Sequence, residues 1–477
     1  MHYGSARDVQ GGPQEMQTGQ ARALSLPAAL AFAAAGLPVG ALQLALTVHL
    51  PRYFASHMGL SLAVVGGAFA LVRAIDIPLD PILGLLMDRT RSRFGRYRVW
   101  AAGGPLVLVA ALYVLMHPPL WLVRSGPVGE PFLVGVLLVM FLGYSAMYLS
   151  QQAWAVSLAP DYAQRSRIFA FIIWLSFVGS VAVLIIPVAM AKLGYSDAQG
   201  VEAMIWFVMI AAPVATLLMV ARTPERIAPE HAHRFTLRDY GRLLARPNVL
   251  RLMASDLCIQ LGPGWMAALY LFYFTAKRGF AASQANLLLL IYIAAGFVGA
   301  PATAWLAGRI NKHRTLIVCT TLYSLCLMGV PFLPYGRFLA AVPLLLVAGA
   351  AFAGFLVSLR ALTADISDEI RLETGREWTG LIFALTNATT KLATAGAIFL
   401  TFNVLSRVGF DPREGAANTV QALKGLEIAF LSGPIVFVLL GGLCFAGYKL
   451  DKVRHADIRR QLEARDLQHG GAFPDPP

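Results

Sequence analysis

The chain is 477 residues long, 57% hydrophobic and only 14% charged, with a mean hydropathy of +0.63. A soluble globular protein carries about one quarter charged residues, so this composition excludes one; most of the surface must meet lipid or other apolar helices. The formal excess of +13 does not point to nucleic acid, because the basic residues cluster in short loops between apolar runs, as cytoplasmic loops of membrane proteins do.

Residues 1–24 are polar and rich in Gly and Gln, which predicts a disordered N-terminus. They lack the basic start, short apolar core and small-residue cleavage site of a removable signal peptide. Runs approaching the roughly 20 apolar residues of a spanning helix then recur at about 25–50, 61–86, 99–117, 131–156, 167–192, 203–221, 248–275, 283–308, 315–334, 338–361, 378–404 and 422–449. The expected fold is an all-α membrane protein of about twelve helices. A polar linker at 222–247 divides the spans into a half at 25–221 and a half at 248–449, followed by a cytoplasmic tail at 450–477. Two similar halves place a substrate cavity between them near the bilayer midplane.

Orientation is read from the loops. The 2–3 loop carries Arg89, Arg91, Arg93, Arg96 and Arg98, the 6–7 loop carries Arg222, Arg226, Arg234, Arg238, Arg242 and Arg246, and the 8–9 loop carries Arg309, Lys312 and Arg314. The alternate loops are poorer in cations, so both termini are expected in the cytoplasm of a bacterial inner-membrane, multi-pass protein. A monomer in the lipid bilayer is expected. Cys258, Cys319, Cys326 and Cys444 fall in apolar runs without CxxC spacing and read as packing residues.

The charges inside the apolar runs are the chemical signal. Asp76 and Asp80 in the second run are four apart, hence on one helix face. A carboxylate in a bilayer is costly unless paired, hydrated or functional. Two so close resist ionising together, which suits a proton site; their oxygens equally suit a hard cation such as sodium. The alternative is a structural ion pair with Arg73, three residues before Asp76. Lys391 lies midway along the eleventh run and needs a partner if it is buried. The helix 2 carboxylates are the natural one, so that an entering cation would compete with the lysine; the alternative is a lysine reaching the interface.

Other polar residues in the runs are cavity candidates. Asn387 lies one turn before Lys391. Asp256 in the seventh run precedes Gly262-Pro263-Gly264, which should bend or unwind the helix beside Trp265. Tyr144, Tyr148, Gln151, Gln152 and Trp154 form a polar-aromatic cluster in the fourth run, suited to a sugar or other hydroxylated solute; packing is the alternative for each.

Around the second run the sequence joins Gly59-Leu60-Ser61, Arg73-x-x-Asp76, Asp80-Pro81-x-x-Gly84, then Asp88 and a basic stretch ending Gly95-Arg96. Asp161-Tyr162-x-x-Arg165 follows the fourth run, and Asp365-x-x-Asp368, Thr374-Gly375-Arg376, Gly380 and Lys391 follow in order. This set resembles the glycoside–pentoside–hexuronide:cation symporter family of the major facilitator superfamily, to which melibiose permease belongs. The resemblance implies the major facilitator fold, with acids at Asp76 and Asp80 binding the coupling cation, proton or sodium, and with Arg73 and Lys391 tuning the charge. It also implies a cytoplasmic gate formed by Gly84, Asp88, Arg89, Arg96, Asp161, Arg165, Asp365 and Arg376; a solvated topogenic loop is the alternative.

The departures narrow the expectation. On an ungapped alignment, the further acids of melibiose permease fall at Gly40 and Tyr148, its sugar-contacting tryptophan at Gln152 and its helix 5 arginine at Ile173. Fewer carboxylates leave protons at least as suitable as sodium, and the galactoside-binding set is missing. The expectation is therefore a symporter of a glycoside-like or other hydroxylated small-molecule solute. A lysolipid or amphipathic solute is the rival, compatible with Gly40 and the apolar first run. No nucleotide-binding loop and no metal-ligand spacing are found, so neither an enzyme nor a cofactor beyond the coupling ion is expected; a membrane scaffold or membrane-embedded enzyme is the alternative of another class.

Overall fold

A computed structural model describes residues 25–118, 130–158, 162–225, 237–376, 378–448 and 452–468. Among these residues the structure is helical, without strands. Twelve helices are long and apolar enough to cross a membrane: Leu26–Ser56, Leu62–Arg89, Arg98–Met116, Glu130–Ala155, Arg167–Lys192, Asp197–Arg222, Pro247–Lys277, Ala282–Ile310, Lys312–Phe332, Phe338–Thr374, Leu381–Arg407 and Val420–Leu443. They are called here the first to twelfth spans. A short helix, Leu237–Leu244, lies before the seventh, and a C-terminal helix, Lys452–Gln468, follows the twelfth. The expected N-terminal disorder at 1–24 lies outside the described residues.

Several helices outrun their apolar stretches. The tenth is 37 residues long, about 55 Å at 1.5 Å per residue, against a hydrocarbon core of about 30 Å. Its far end carries Asp365, Asp368, Glu369 and Glu373, whose charge ends the apolar pattern without ending the helix; Gly375, at φ 72°, does that. Polar caps start other spans. Ser61 Oγ accepts from the Val64 N–H, Ser196 forms a reciprocal capping box with Gln199, and Thr419 Oγ1 accepts from the Ala422 N–H.

The second span shows how the helices divide lipid from interior. Val65, Phe69, Val72, Arg73, Asp76, Leu83 and Met87 form its buried stripe, while Leu71, Ile75, Ile82, Leu85 and Leu86 are exposed on the other side. Each half packs its own six spans, and the halves meet where the second packs on the eleventh, the fifth on the eighth and the first on the seventh. Between the fifth and the eighth the rings of Phe177 and Phe297 meet edge-on, centroids 4.3 Å apart.

Two glycines set how closely these helices approach. A Cβ on Gly66 would lie 3.1 Å from Phe402 Cβ of the eleventh span, and one on Gly40 would lie 1.9 Å from the Ser176 carbonyl oxygen of the fifth. The acid missing at Gly40 therefore has a physical reason: no side chain fits at this helix crossing.

Candidate functional site

Asp76, Asp80, Arg73 and Lys391 form one cluster where the two halves meet. Lys391 Nζ donates to Asp76 Oδ2 at 2.9 Å and also to Asp80 Oδ2. Arg73 Nη1 donates to the same Asp76 oxygen at 3.0 Å, and its guanidinium lies 4.0 Å from the Phe141 ring centroid. Ser145 of the fourth span donates to Asp76 Oδ1 at 3.2 Å. Asp76 is thus saturated, whereas Asp80 Oδ1 is buried without a hydrogen-bond partner.

Two carboxylates and two cations make a formally neutral quartet, which is how an apolar interior tolerates four charges. Pro78 and Pro81 stand beside Asp80 within the same helix. Lacking N–H groups, they deprive the carbonyls of Ala74 and Ile77 of their usual helical donors and weaken the helix here. The site can exchange one positive partner for another: a cation at the carboxylates, or a proton on Asp80, would make the Lys391 charge redundant. Among the described residues no group of three or more His, Cys, Asp or Glu is arranged to hold a metal ion.

The other candidates spread outward. Tyr144 donates to Gln43 Oε1 at 3.3 Å and stacks on Tyr148, ring centroids 5.9 Å apart. Gln152 is half-buried and Asn387 exposed. Gln151 is taken up in packing, donating to the Phe32 carbonyl at 3.1 Å. Asp256 is 1% exposed and accepts from Thr389, two residues before Lys391. Trp265 is turned toward the twelfth span: its Nε1 donates to the Ala429 carbonyl at 2.9 Å, and its ring lies against Gly433. The helix continues through Gly262-Pro263-Gly264 without unwinding.

The residues read as a gate lie on the face of the arginine-rich 2–3 loop, called here the basic face. Asp88 is exposed and accepts from the Tyr97 hydroxyl at 3.2 Å. Burial, with the Asp88 charge nearby, holds the Tyr97 phenol above its usual range, so it remains a neutral donor. Arg89 is exposed, and Gly84 has open space where a Cβ would stand. The Arg96 and Tyr97 N–H groups each donate at 2.7 Å to Glu225, whose carboxylate thereby ties the linker to the N-terminus of the third span. Asp365 accepts from Lys312 at 2.6 Å and lies 3.2 Å from His455 of the C-terminal helix. His455 also lies 3.2 Å from Asp368, and Arg459 3.5 Å from it. Arg376 is exposed, its N–H donating to Thr374 Oγ1 at 3.3 Å. Asp161 and the Arg165 side chain lie outside the described residues. These pairs hold each half to itself.

Among the described residues, contacts between the halves are found at the centre and at the opposite face. Besides Lys391, His49 Nε2 lies 2.9 Å from Asn286 Oδ1, and Ser56 donates to the Pro412 carbonyl at 2.7 Å. Ser145, Thr389, Glu225 and Asn286 did not stand out in the sequence, because a hydroxyl, an amide or a loop carboxylate carries no periodic or cost signal of its own.

Residues 31–452 match the family described as MFS/sugar transport protein. The chain is 26% identical to a lactose permease of Lactobacillus delbrueckii subsp. bulgaricus over 84% of its length, and spans 66%, just under two thirds, of that permease. It is 23% identical to the putative glycoside/cation symporter YagG of Escherichia coli, covering 90% of this chain and 93% of the relative. It is 24% identical to an isoprimeverose transporter of Lactiplantibacillus pentosus, covering 90% and 89%. Among solved structures, the nucleoside transporter NupG superposes with a TM-score of 0.65 at 11% identity, covering 90% of this chain and all of NupG; at that identity the likeness is one of fold.

Proposed function

The chain belongs to the MFS/sugar transport family, and from that premise we propose that it couples the uptake of a sugar- or glycoside-like solute to an inward flow of cations, by alternating access across a bacterial inner membrane with both termini cytoplasmic. The observation that carries this reading is Lys391 of one half, held by Asp76 and Asp80 of the other. A proton or sodium ion arriving at Asp80, whose Oδ1 has no partner, takes over the neutralising role of Lys391. The lysine then releases the second span and the two halves can rock. With the cation gone, the lysine rebinds.

In this reading the solute binds beside this lock, with Tyr144, Tyr148, Gln152 and Asn387 as its candidate contacts. Hydroxyl, amide and phenol groups there suit a polyhydroxylated solute, as the names of the relatives suggest. Asp88, Arg89, Arg96, Asp365 and Arg376 belong to the cytoplasmic gate in this reading, engaging across the halves when that face closes.

The test is uptake into proteoliposomes under an imposed proton or sodium gradient. In the wild type one gradient drives accumulation above equilibrium. Asp80→Asn abolishes that accumulation while leaving exchange of solute down its own gradient. Unchanged gradient-driven accumulation in the variant rules out the ion site.

A further inference from the structure

On the basic face, away from the ion lock, a cavity of about 500 Å³ lies between the short helix Leu237–Leu244 and the turn that joins the tenth and eleventh spans. Arg242, Arg246 and Arg376 line it, with Leu243, Thr374 and Trp378. Small-molecule sites span roughly 300–1,000 Å³. Local rules place these side chains. Leu243 is buried and docks the short helix, which leaves Arg242 beside it exposed. Arg246 stands just before Pro247, the first residue of the seventh span. Gly375, at φ 72°, ends the tenth helix, and Arg376 follows it, exposed. Trp378 Nε1 donates to Thr374 Oγ1 at 3.0 Å, which fixes the indole at the cavity wall.

The acids near the end of the tenth helix do not account for these cations. Asp365 and Asp368 are held by Lys312, His455 and Arg459, and Glu369 accepts from Asn248 at 2.6 Å. Glu373 pairs with Arg246 in a solvated contact, so little is lost when Arg246 turns to another anion. Among the described residues no carboxylate stands at ion-pair distance from Arg242 or Arg376. Arg465 of the C-terminal helix adds a cation close by, 2.8 Å from where a Cβ on Gly375 would stand. Guanidinium forks converging on one cavity match the oxygens of a phosphate group, and the indole offers an apolar face to whatever the phosphate carries.

A lipid headgroup and a soluble ester present the same phosphate, and depth separates them. Thr374 lies 13 residues beyond the tenth apolar run, which ends near 361, or about 20 Å along the helix. The headgroup layer reaches only about 5–8 Å past the hydrocarbon, and an average tilt of about 20° shortens the overshoot little. The cavity therefore stands in water beyond the headgroups.

We propose that this cavity binds a soluble phosphate monoester, its phosphate among Arg242, Arg246 and Arg376 and its uncharged part against Trp378. This ligand is not the cargo; the proposal takes from the reading above only that the basic face is cytoplasmic. A bound ester fastens the linker, whose Glu225 holds the third span, to the start of the eleventh span, which carries Lys391.

The experiment titrates the full-length protein in detergent, at constant ionic strength, with glucose 6-phosphate and with inorganic phosphate, read by calorimetry and thermal shift. Saturable binding of glucose 6-phosphate is expected. Arg242→Gln/Arg376→Gln weakens it by about tenfold or more, as the loss of charge-assisted hydrogen bonds should. Arg91→Gln/Arg93→Gln, which removes the same charge from the 2–3 loop, leaves it unchanged. Trp378→Ala weakens glucose 6-phosphate but not inorganic phosphate. If neither phosphate probe binds, if the cavity double variant binds as tightly as wild type, or if the loop variant is weakened equally, the proposal is overturned. Nanodiscs with and without phosphatidylglycerol form the lipid arm: stabilisation by that lipid that needs Arg242 and Arg376, without binding of the soluble probes, overturns the soluble source. None of these outcomes bears on the symport reading, which gradient-driven uptake tests separately.

Discussion

Lys391 is shared by two carboxylates, and removing it tests how much of the site's stability depends on charge balance. Its side chain is 14% exposed, that of Asp80 15% and that of Asp76 4%. Lys391→Ala leaves Asp76 and Asp80 with Arg73 alone, one negative charge in excess in a poorly hydrated place. Breaking a buried pair in this way costs about 3 kcal/mol, and partial hydration of Asp80 puts the expected loss at the lower end. The double variant Lys391→Ala/Asp80→Asn restores neutrality and regains most of the loss. Thermal unfolding in detergent of the two single variants and the double gives the coupling directly; simple additivity would show that the Lys391 and Asp80 charges are independent. Asp76, Asp80 and Lys391 were legible in the sequence because a charge inside an apolar run is conspicuous. The contact of Arg360 with the eleventh span was not, since Arg360 stands at the end of the tenth apolar run, where a cation is ordinary, and only the folded arrangement shows its Nη1 donating to Thr386.

Helices carry the constraint that places those charges. The first span crosses the fifth at Gly40, where the Ser176 carbonyl occupies the space of a Cβ. A reciprocal contact nearby sets a Cβ on Gly179 1.9 Å from the Leu37 carbonyl oxygen. Gly40→Ala must push the two backbones apart, at an expected cost of about 1–3 kcal/mol, read as a fall in melting temperature. Gly40→Asp costs more and creates no additional ion site, so cation dependence stays as in wild type in whatever protein folds. A Gly40→Asp variant of wild-type stability with altered cation dependence would instead make the position part of the site. The number of spans and their approximate centres followed from the sequence, because roughly 20 apolar residues suffice to signal a crossing. Their ends did not, since the tenth helix runs well past its apolar part, and a glycine in an apolar run gives no sign of which helix it crosses.

At the scale of the whole molecule, the contacts between the halves are distributed unevenly. At the basic face, Glu225 binds the start of the third span within one half, and Lys312, His455 and Arg459 gather on Asp365 and Asp368 within the other. At the opposite face His49 meets Asn286, Ser56 meets Pro412, and Arg52 lies 6.0 Å from the centroid of the Phe272 ring, each across the halves. This arrangement is closed at the opposite face and held at its centre by Lys391. Such a seal must be weak enough to break in every cycle, and a few isolated contacts meet that need: a buried neutral hydrogen bond such as that of His49 with Asn286 is worth about 1 kcal/mol net. His49→Ala should therefore raise the population open at that face by about fivefold. Thr394, which lines a small cavity with Thr47, Phe69 and Arg73, is the reporter. With Thr394→Cys in a background lacking Cys258, Cys319, Cys326 and Cys444, an impermeant maleimide added from the opposite face should label several times faster once His49 is replaced. Equal rates with and without His49 would mean that the seal lies in the Lys391 lock alone, and that the outer contacts follow its opening rather than oppose it.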